Sequence, residues 1–421
     1  MEIAHESYVL DNGLEVVFIQ DPSLPKVVVD LWYDVGSFDD PPHRSGFAHL
    51  FEHLMFKGTP RIGEGKFDQT MEAAGGWNNA STGDERTNYY DVGPKNTLDL
   101  LLWLEADRMT GLDITQKKLD VEREVVRNER RQNYEDSPYG SVWIELPKAM
   151  YPENNPLSRS GIGNHEDLMA SSVEDVRAFY NTWYVPNNCV LAVAGDFDPA
   201  AAKRWIAETF GALPRKELSE VPKRVVPPMP DVPTTAFVEI QDDVALPAVL
   251  MTWHTPALYA PGDAELDLLA AVLAGSDDSR LVKRLVYTDQ SAQEVSAAQY
   301  SGRWGSLFVV QAYAAPGHSL EELEKAIDEE FSALMGARPM SDDELLRARN
   351  NRELDKLYSA ESLMGRAELL QSYRMHVGRY DYFTEDLARY RTADAASVAR
   401  ELAKLTPARR GRIHVLPQGE E

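Results

Sequence analysis

Two stretches half a chain apart carry the same alternation of apolar and polar positions. IQDPSLPKVVVDLWYDVG starts at Ile19 and IQDDVALPAVLMTWHTPA at Ile240, each a strand pattern arranged around a Leu-Pro pair. Helical periodicity then takes over. LDLLLWLEADRMTGLDITQKKLDVEREVVRNE, from Leu98, predicts a helix, a short turn and a second helix, and LEELEKAIDEEFSALMGARPMSDDELLRARNNREL, from Leu320, repeats the plan. Each half closes on an apolar strand, CVLAVAGDF from Cys189 and RIHVLP from Arg412. The repetition predicts a duplicated α+β chain of two homologous domains, each an antiparallel sheet covered by helices. Between the halves, LPRKELSEVPKRVVPPMPDVP holds six prolines and little apolar period, the composition of an extended connector. The expected boundaries are a first domain over 1–212, a linker over 213–233 and a second domain over 234–421.

Composition narrows the function classes. With 421 residues, 43% of them hydrophobic and 26% charged, either half can bury a core of its own. A net charge of -25 repels phosphate backbones, which argues against nucleic acid and favours basic or neutral partners such as peptides. No run approaches the roughly 20 apolar residues of a spanning helix. The opening MEIAHESYVLDNGLEVVFIQ passes straight into strand-like sequence, without a basic leader or an apolar export core. A cytoplasmic location is expected from it, or a periplasmic one if a leader was trimmed. The single cysteine, Cys189, excludes an internal disulfide and a cysteine-based zinc finger, and its run NNCVLAVAG reads as a buried strand.

Candidate chemistry is concentrated in GFAHLFEHLMFKG. His49 and His53, four residues apart in a helix-favouring apolar run, project from one face as two nitrogen ligands. Glu52 lies close enough to both to take a proton from an attacking water without itself being a ligand. This is the inverted zincin order, His-x-x-Glu-His. Hydrolytic zinc sites usually have three protein ligands and leave a fourth position for water, so one more ligand is required. In LDVEREVVRNERRQN, Glu122 and Glu129 are seven residues apart and share a helical face. Glu129 is assigned as the ligand and Glu122 as the carboxylate that orients a histidine or the water. By themselves Glu122 and Glu129 read more readily as a solvated helix face with local arginine partners; their conjunction with His-x-x-Glu-His points to a metal. His5, His43, His165, His254, His318, His376 and His414 are scattered and form no second cluster.

HLFEH followed by the distant glutamate of EREVVRNE resembles the pitrilysin and mitochondrial processing peptidase-like family of zinc metallopeptidases. The resemblance extends over nearly the whole chain: GGWNNASTGDERTNYYDV from Gly75 is similar to the family's substrate-binding edge strand, and VRAFYNTWYVPNNCVLAVAGDFD from Val176 to its domain-closing helix and strand. It implies one Zn2+ per chain, catalysis by Glu52 with support from Glu122, and main-chain groups of Asn79 and Ala80 offered to an extended peptide by strand addition. Phe51, Phe56 and Trp77 are candidate apolar walls, with core packing the expected job of at least two.

One departure bears on partners. Active members of the family carry, in a facing second domain, an Arg and, seven residues later, a Tyr. In SRLVKRLVYTDQSAQEV, from Ser279, those positions fall at Val286 and Gln293, which offer neither charge nor phenol. The resemblance therefore implies a heterodimer with a homologous subunit that lacks the zinc motif and supplies the pair. The alternatives are a non-catalytic core or scaffold subunit, and a self-sufficient homodimeric peptidase in which Arg284 and Tyr287 stand in.

Overall fold

The computed structural model of the chain, which describes residues 2–215 and 224–418, turns the repeated pattern into two sheets built on one strand plan. The first half runs β1 (Glu6–Val9), β2 (Glu15–Gln20), β3 (Lys26–Tyr33), α1 (Phe47–Leu54), α2 (Lys66–Ala73), β4 (Trp77–Thr82), β5 (Thr87–Pro94), α3 (Leu98–Thr110) and α4 (Gln116–Arg130). It continues with α5 (Val142–Met150), α6 (His165–Ala170), α7 (Val173–Trp183), β6 (Cys189–Gly195) and α8 (Pro199–Thr209). The second half holds β7 (Phe237–Asp242), β8 (Ala248–Thr255), α9 (Asp263–Ala274), β9 (Ala292–Tyr300), β10 (Ser306–Ala314), α10 (Leu320–Met335) and α11 (Asp342–Ser359). It ends with α12 (Leu363–Val377), α13 (Phe383–Thr392), α14 (Ala395–Leu402) and β11 (Gly411–Pro417).

The sheet orders are β1-β2-β6-β3-β5-β4 and β7-β11-β8-β10-β9. With β1 set aside, the two orders match strand for strand, so the duplication read from the sequence is visible in the topology. Both sheets are mixed rather than antiparallel throughout, because β2 pairs in parallel with β6, and β7 with β11. The closing strand of each half returns only after a long helical excursion, and such a crossover can deliver a strand in the parallel sense.

Two compact units result, and they are not the contiguous halves expected at 1–212 and 234–421. One comprises residues 1–128, 160–225 and 358–383; the other comprises 129–159, 226–357 and 384–421. The physical reason is that each central strand is apolar on both faces and needs two layers of cover. In the first unit, Val27, Val29, Leu31 and Tyr33 of β3 are fully buried, and so are Val28 and Asp30 on its opposite face. α12 covers that opposite face, where Gln371 donates to the carbonyls of Asp30 (3.0 Å) and Val190 (3.1 Å). In the second unit, Val249, Met251 and Trp253 pack with residues of α9 and α10, while Leu250, Ile413 and Val415 pack with Val142, Leu146 and Met150 of α5. A helix from the first half thus completes the second sheet, and a helix from the second half completes the first. Of the expected linker, residues 216–223 lie outside the described residues, and 224–233 carry neither helix nor strand. Cys189 is buried in β6. Among the described residues no helix is long and apolar enough to cross a membrane.

Candidate metal centre and substrate strand

Helix α1 is anchored by Phe47, Leu50, Phe51 and Leu54, the i, i+3, i+4, i+7 set, all at most 2% exposed. Phe51 lies 4.3 Å, ring centre to ring centre, from Tyr184 and 5.8 Å from Tyr180. That anchoring leaves His49, Glu52 and His53 on the partly exposed face. The start of the helix is fixed by Gly46, whose φ of +81° favours glycine and where a Cβ would come within 2.6 Å of Gly163 Cα. The Asp40 carboxylate accepts from the main-chain N–H groups of Gly46 and Ala48, both at 2.8 Å, an anion cap at a helix N-terminus.

On α4 the buried positions Leu119, Glu122 and Val126 define one face, and Glu129 lies two turns beyond Glu122 on the same side. The imidazole rings of His49 and His53 are 4.8 Å apart at 82°. One ligand atom from each of His49, His53 and Glu129 lies within 4.8 Å of the others. Tetrahedral zinc with bonds of about 2.0–2.2 Å spaces its ligand atoms about 3.4 Å apart, so the trio needs only modest closing to hold the ion. Two imidazole nitrogens and one carboxylate oxygen also match the donor set of hydrolytic zinc, with a fourth position left over.

Glu122 is 2% exposed, with its carboxylate 3.4 Å from His53 Nδ1 and 2.9 Å from Lys57 Nζ. Burial alone would raise its pKa; hydrogen bonds from His53 and Lys57, with the lysine charge, outweigh that and hold it below the usual carboxylate value. An acceptor at Nδ1 directs the other ring nitrogen of His53 toward a metal. Glu122→Gln is therefore expected to keep the fold and weaken zinc binding by about 10- to 100-fold, read by competition with a chelator.

Glu52 accepts a hydrogen bond from the Thr82 hydroxyl, at the end of β4. The phenols of Tyr89 and Tyr184 are raised by burial, and both feel the Glu52 charge. β4 is the last strand of its sheet, so one side of its backbone is an open edge. The Gly83 N–H donates to the Arg86 carbonyl at 2.9 Å, and with the β4–β5 register this directs the main-chain groups of Asn78, Ala80 and Thr82 to that edge. The Ala80 N–H meets the Asn79 side-chain oxygen at 2.8 Å. Of the three candidate walls, Phe51 is core and Phe56 packs against Tyr89 and Phe67, while Trp77 is 54% exposed and meets Tyr90 edge-on at 5.8 Å.

In the second unit the Arg284 guanidinium is committed to Glu329, to Asp289 at 3.3 Å and to the Ala326 carbonyl at 3.0 Å. Tyr287 is 56% exposed, and Gln293, the second residue of the edge strand β9, is exposed.

Comparison with known proteins fits this geometry. Residues 15–163 match the family profile described as Insulinase (Peptidase family M16), and residues 171–352 match the Peptidase M16 inactive domain. The chain belongs to the peptidase M16 family. One M16 relative, the zinc protease PqqE of Helicobacter pylori, is 29% identical over 407 residues, 96% of this chain and 91% of that protein. The crystal structure of a protease from Helicobacter pylori superposes with a TM-score of 0.87 at 25% identity, covering 98% of this chain and all of that one. Pitrilysin shares the fold, with a TM-score of 0.80 at 20% identity over 98% of this chain and 44% of its own. The peptidase profile spans HLFEH and Glu129, and the inactive-domain profile covers most of the half without that motif.

Three contributors escaped the sequence reading. Thr82 had a signal, since strand alternation in WNNAST places it on one face with Asn78 and Ala80. Lys57 follows His53 by four residues, but its turn beyond α1 gave no reason to aim it at Glu122. Asp40 had no signal beyond being an acid a few residues ahead of a helix.

Proposed function

We propose that the chain is a zinc-dependent metalloendopeptidase that hydrolyses unfolded peptides and works as a heterodimer with a homologous subunit. The observation that carries the reading is the convergence of His49, His53 and Glu129 within 4.8 Å, beside Glu52. His49, His53 and Glu129 would hold the ion, and Glu122 would hold His53. When bound, zinc supplies the electrophile for the scissile carbonyl and the acidity that brings a water toward ionisation near neutrality. Glu52 takes the proton of the attacking water and returns it to the departing amine. An extended peptide adds to the open edge of β4 through the main-chain groups of Asn78, Ala80 and Thr82, and not through those of Asn79, which the register turns toward Tyr90 of β5; such pairing recognises backbone rather than side chains and selects for unfolded segments.

The partner is required by what the second half lacks. Val286 and Gln293 occupy the positions where the family carries its Arg and Tyr, and Arg284 is held by Glu329, Asp289 and Ala326. Those commitments weigh against the homodimeric reading, in which Arg284 would have to leave two carboxylates to reach substrate. A scaffold subunit has no use for a base beside three converging ligands.

The test is to purify the chain alone and with a co-encoded homologue lacking HLFEH, and to measure bound zinc and cleavage of unstructured peptides. One zinc per chain and cleavage only in the pair are expected. No zinc in either preparation would overturn the enzymatic reading, and full activity of the isolated chain would overturn the heterodimer.

A further inference from the structure

We infer that Thr82 is a positioning residue that couples the docked peptide backbone to the proton-transfer carboxylate, an inference that rests on the reading of Glu52 as the base. Thr82 is the last residue of β4 and belongs to the set, with Asn78 and Ala80, whose main-chain groups face the open edge. Its side chain leaves the strand on the side of α1, where its hydroxyl donates to Glu52 Oε2. One residue therefore belongs to both surfaces, its backbone to the edge that receives peptide and its hydroxyl to the base.

The arrangement has a chemical use. Glu52 is on a short helix and is not a metal ligand, so the ion does not fix its rotamer. A hydroxyl donor on Oε2 restrains the plane of the carboxylate that takes the proton. The donor is itself registered by strand pairing: β4 meets β5 from Trp77↔Val92 to Thr82↔Thr87 without a bulge, and Thr87 donates to the Val35 carbonyl at 2.9 Å. The carboxylate is thus referenced to the same strand that places the scissile bond. A hydrogen bond to a charged group of this kind has a measurable effect on rate when removed, and the isosteric Thr82→Val removes it while keeping β-branching for the strand.

The experiment compares Thr82→Val, Thr82→Ser and Glu52→Gln in the active complex. Thr82→Val should lower kcat by about tenfold, with KM and zinc content unchanged, and Thr82→Ser should restore most of the loss. Added to Glu52→Gln, Thr82→Val should cost nothing further in kcat. A second measurement does not depend on turnover: in urea unfolding of the zinc-free chain, Thr82→Val and Glu52→Ala should be non-additive as the pair loses its shared bond. Unchanged kcat, loss confined to KM, loss of zinc, or additive unfolding effects would each overturn the inference. If the wild-type complex cleaves no peptide while the unfolding cycle still shows coupling, the failure lies with the proposed activity rather than with the Thr82–Glu52 link.

Discussion

Glu52→Gln is expected to leave one zinc per chain in place while peptide turnover falls by about 10²- to 10⁴-fold. The substitution keeps the size of the side chain and an oxygen that can accept from Thr82, so α1 has no reason to shift. The ligand atoms of His49, His53 and Glu129 belong to other residues, all three within 4.8 Å of one another. What is lost is a basic oxygen able to take a proton, and a carboxamide cannot replace it at neutral pH. Elemental analysis and steady-state cleavage of an unstructured peptide separate the two effects. Normal turnover in the variant would assign the base elsewhere. Loss of zinc together with turnover would mean that Glu52 helps hold the ion.

How much of this was legible in the chain differs between the fold and the site. The spacing of His49 to His53 and of Glu122 to Glu129 fixes a helical face whatever the tertiary structure, so local periodicity alone places each pair on one side. The repeated strand and helix order was legible for the same reason: patterns such as KVVVDLWY and AVLMTWHT record burial. They do not record the identity of the covering layer. An apolar stripe on α5 or α12 says that the helix is covered, not that α5 completes the second sheet and α12 the first. The boundaries at 1–212 and 234–421 therefore differ from the compact units, and the parallel pairing of β2 with β6 was hidden because pairing sense is set by long-range closure. Lys57 and Asp40 were missed on the same grounds, since their roles exist only once α1 has met α4 and the preceding loop.

The largest stability effect is expected beneath the site, where β5 meets α3. Asp91 and Glu105 are both fully buried beside Arg108, which is 1% exposed. The Arg108 guanidinium bonds Glu105 and lies 4.3 Å from the Phe67 ring centre and 4.9 Å from that of Tyr89. Burial lowers its pKa less than the charges of Glu105 and Asp91 raise it, so it stays protonated. Burial, and then the charge of Glu105, push the Asp91 carboxyl well above the ordinary carboxylate value. Arg108→Met fills much the same volume and removes the cation that compensates both carboxylates, which is expected to cost roughly 3–5 kcal/mol, read as a lower urea midpoint. Asp91→Asn should behave oppositely. Because the native state binds the Asp91 proton more tightly than the unfolded chain does, the stability it contributes is complete below the ordinary carboxylate pKa and is lost as pH rises toward the native one. The asparagine variant has no proton to lose there, so its urea midpoint should gain on wild type as pH rises from 4 toward 8. A midpoint difference independent of pH would show that Asp91 is already ionised in the folded chain. An Arg108→Met variant as stable as wild type would show that neither carboxylate needs the cation.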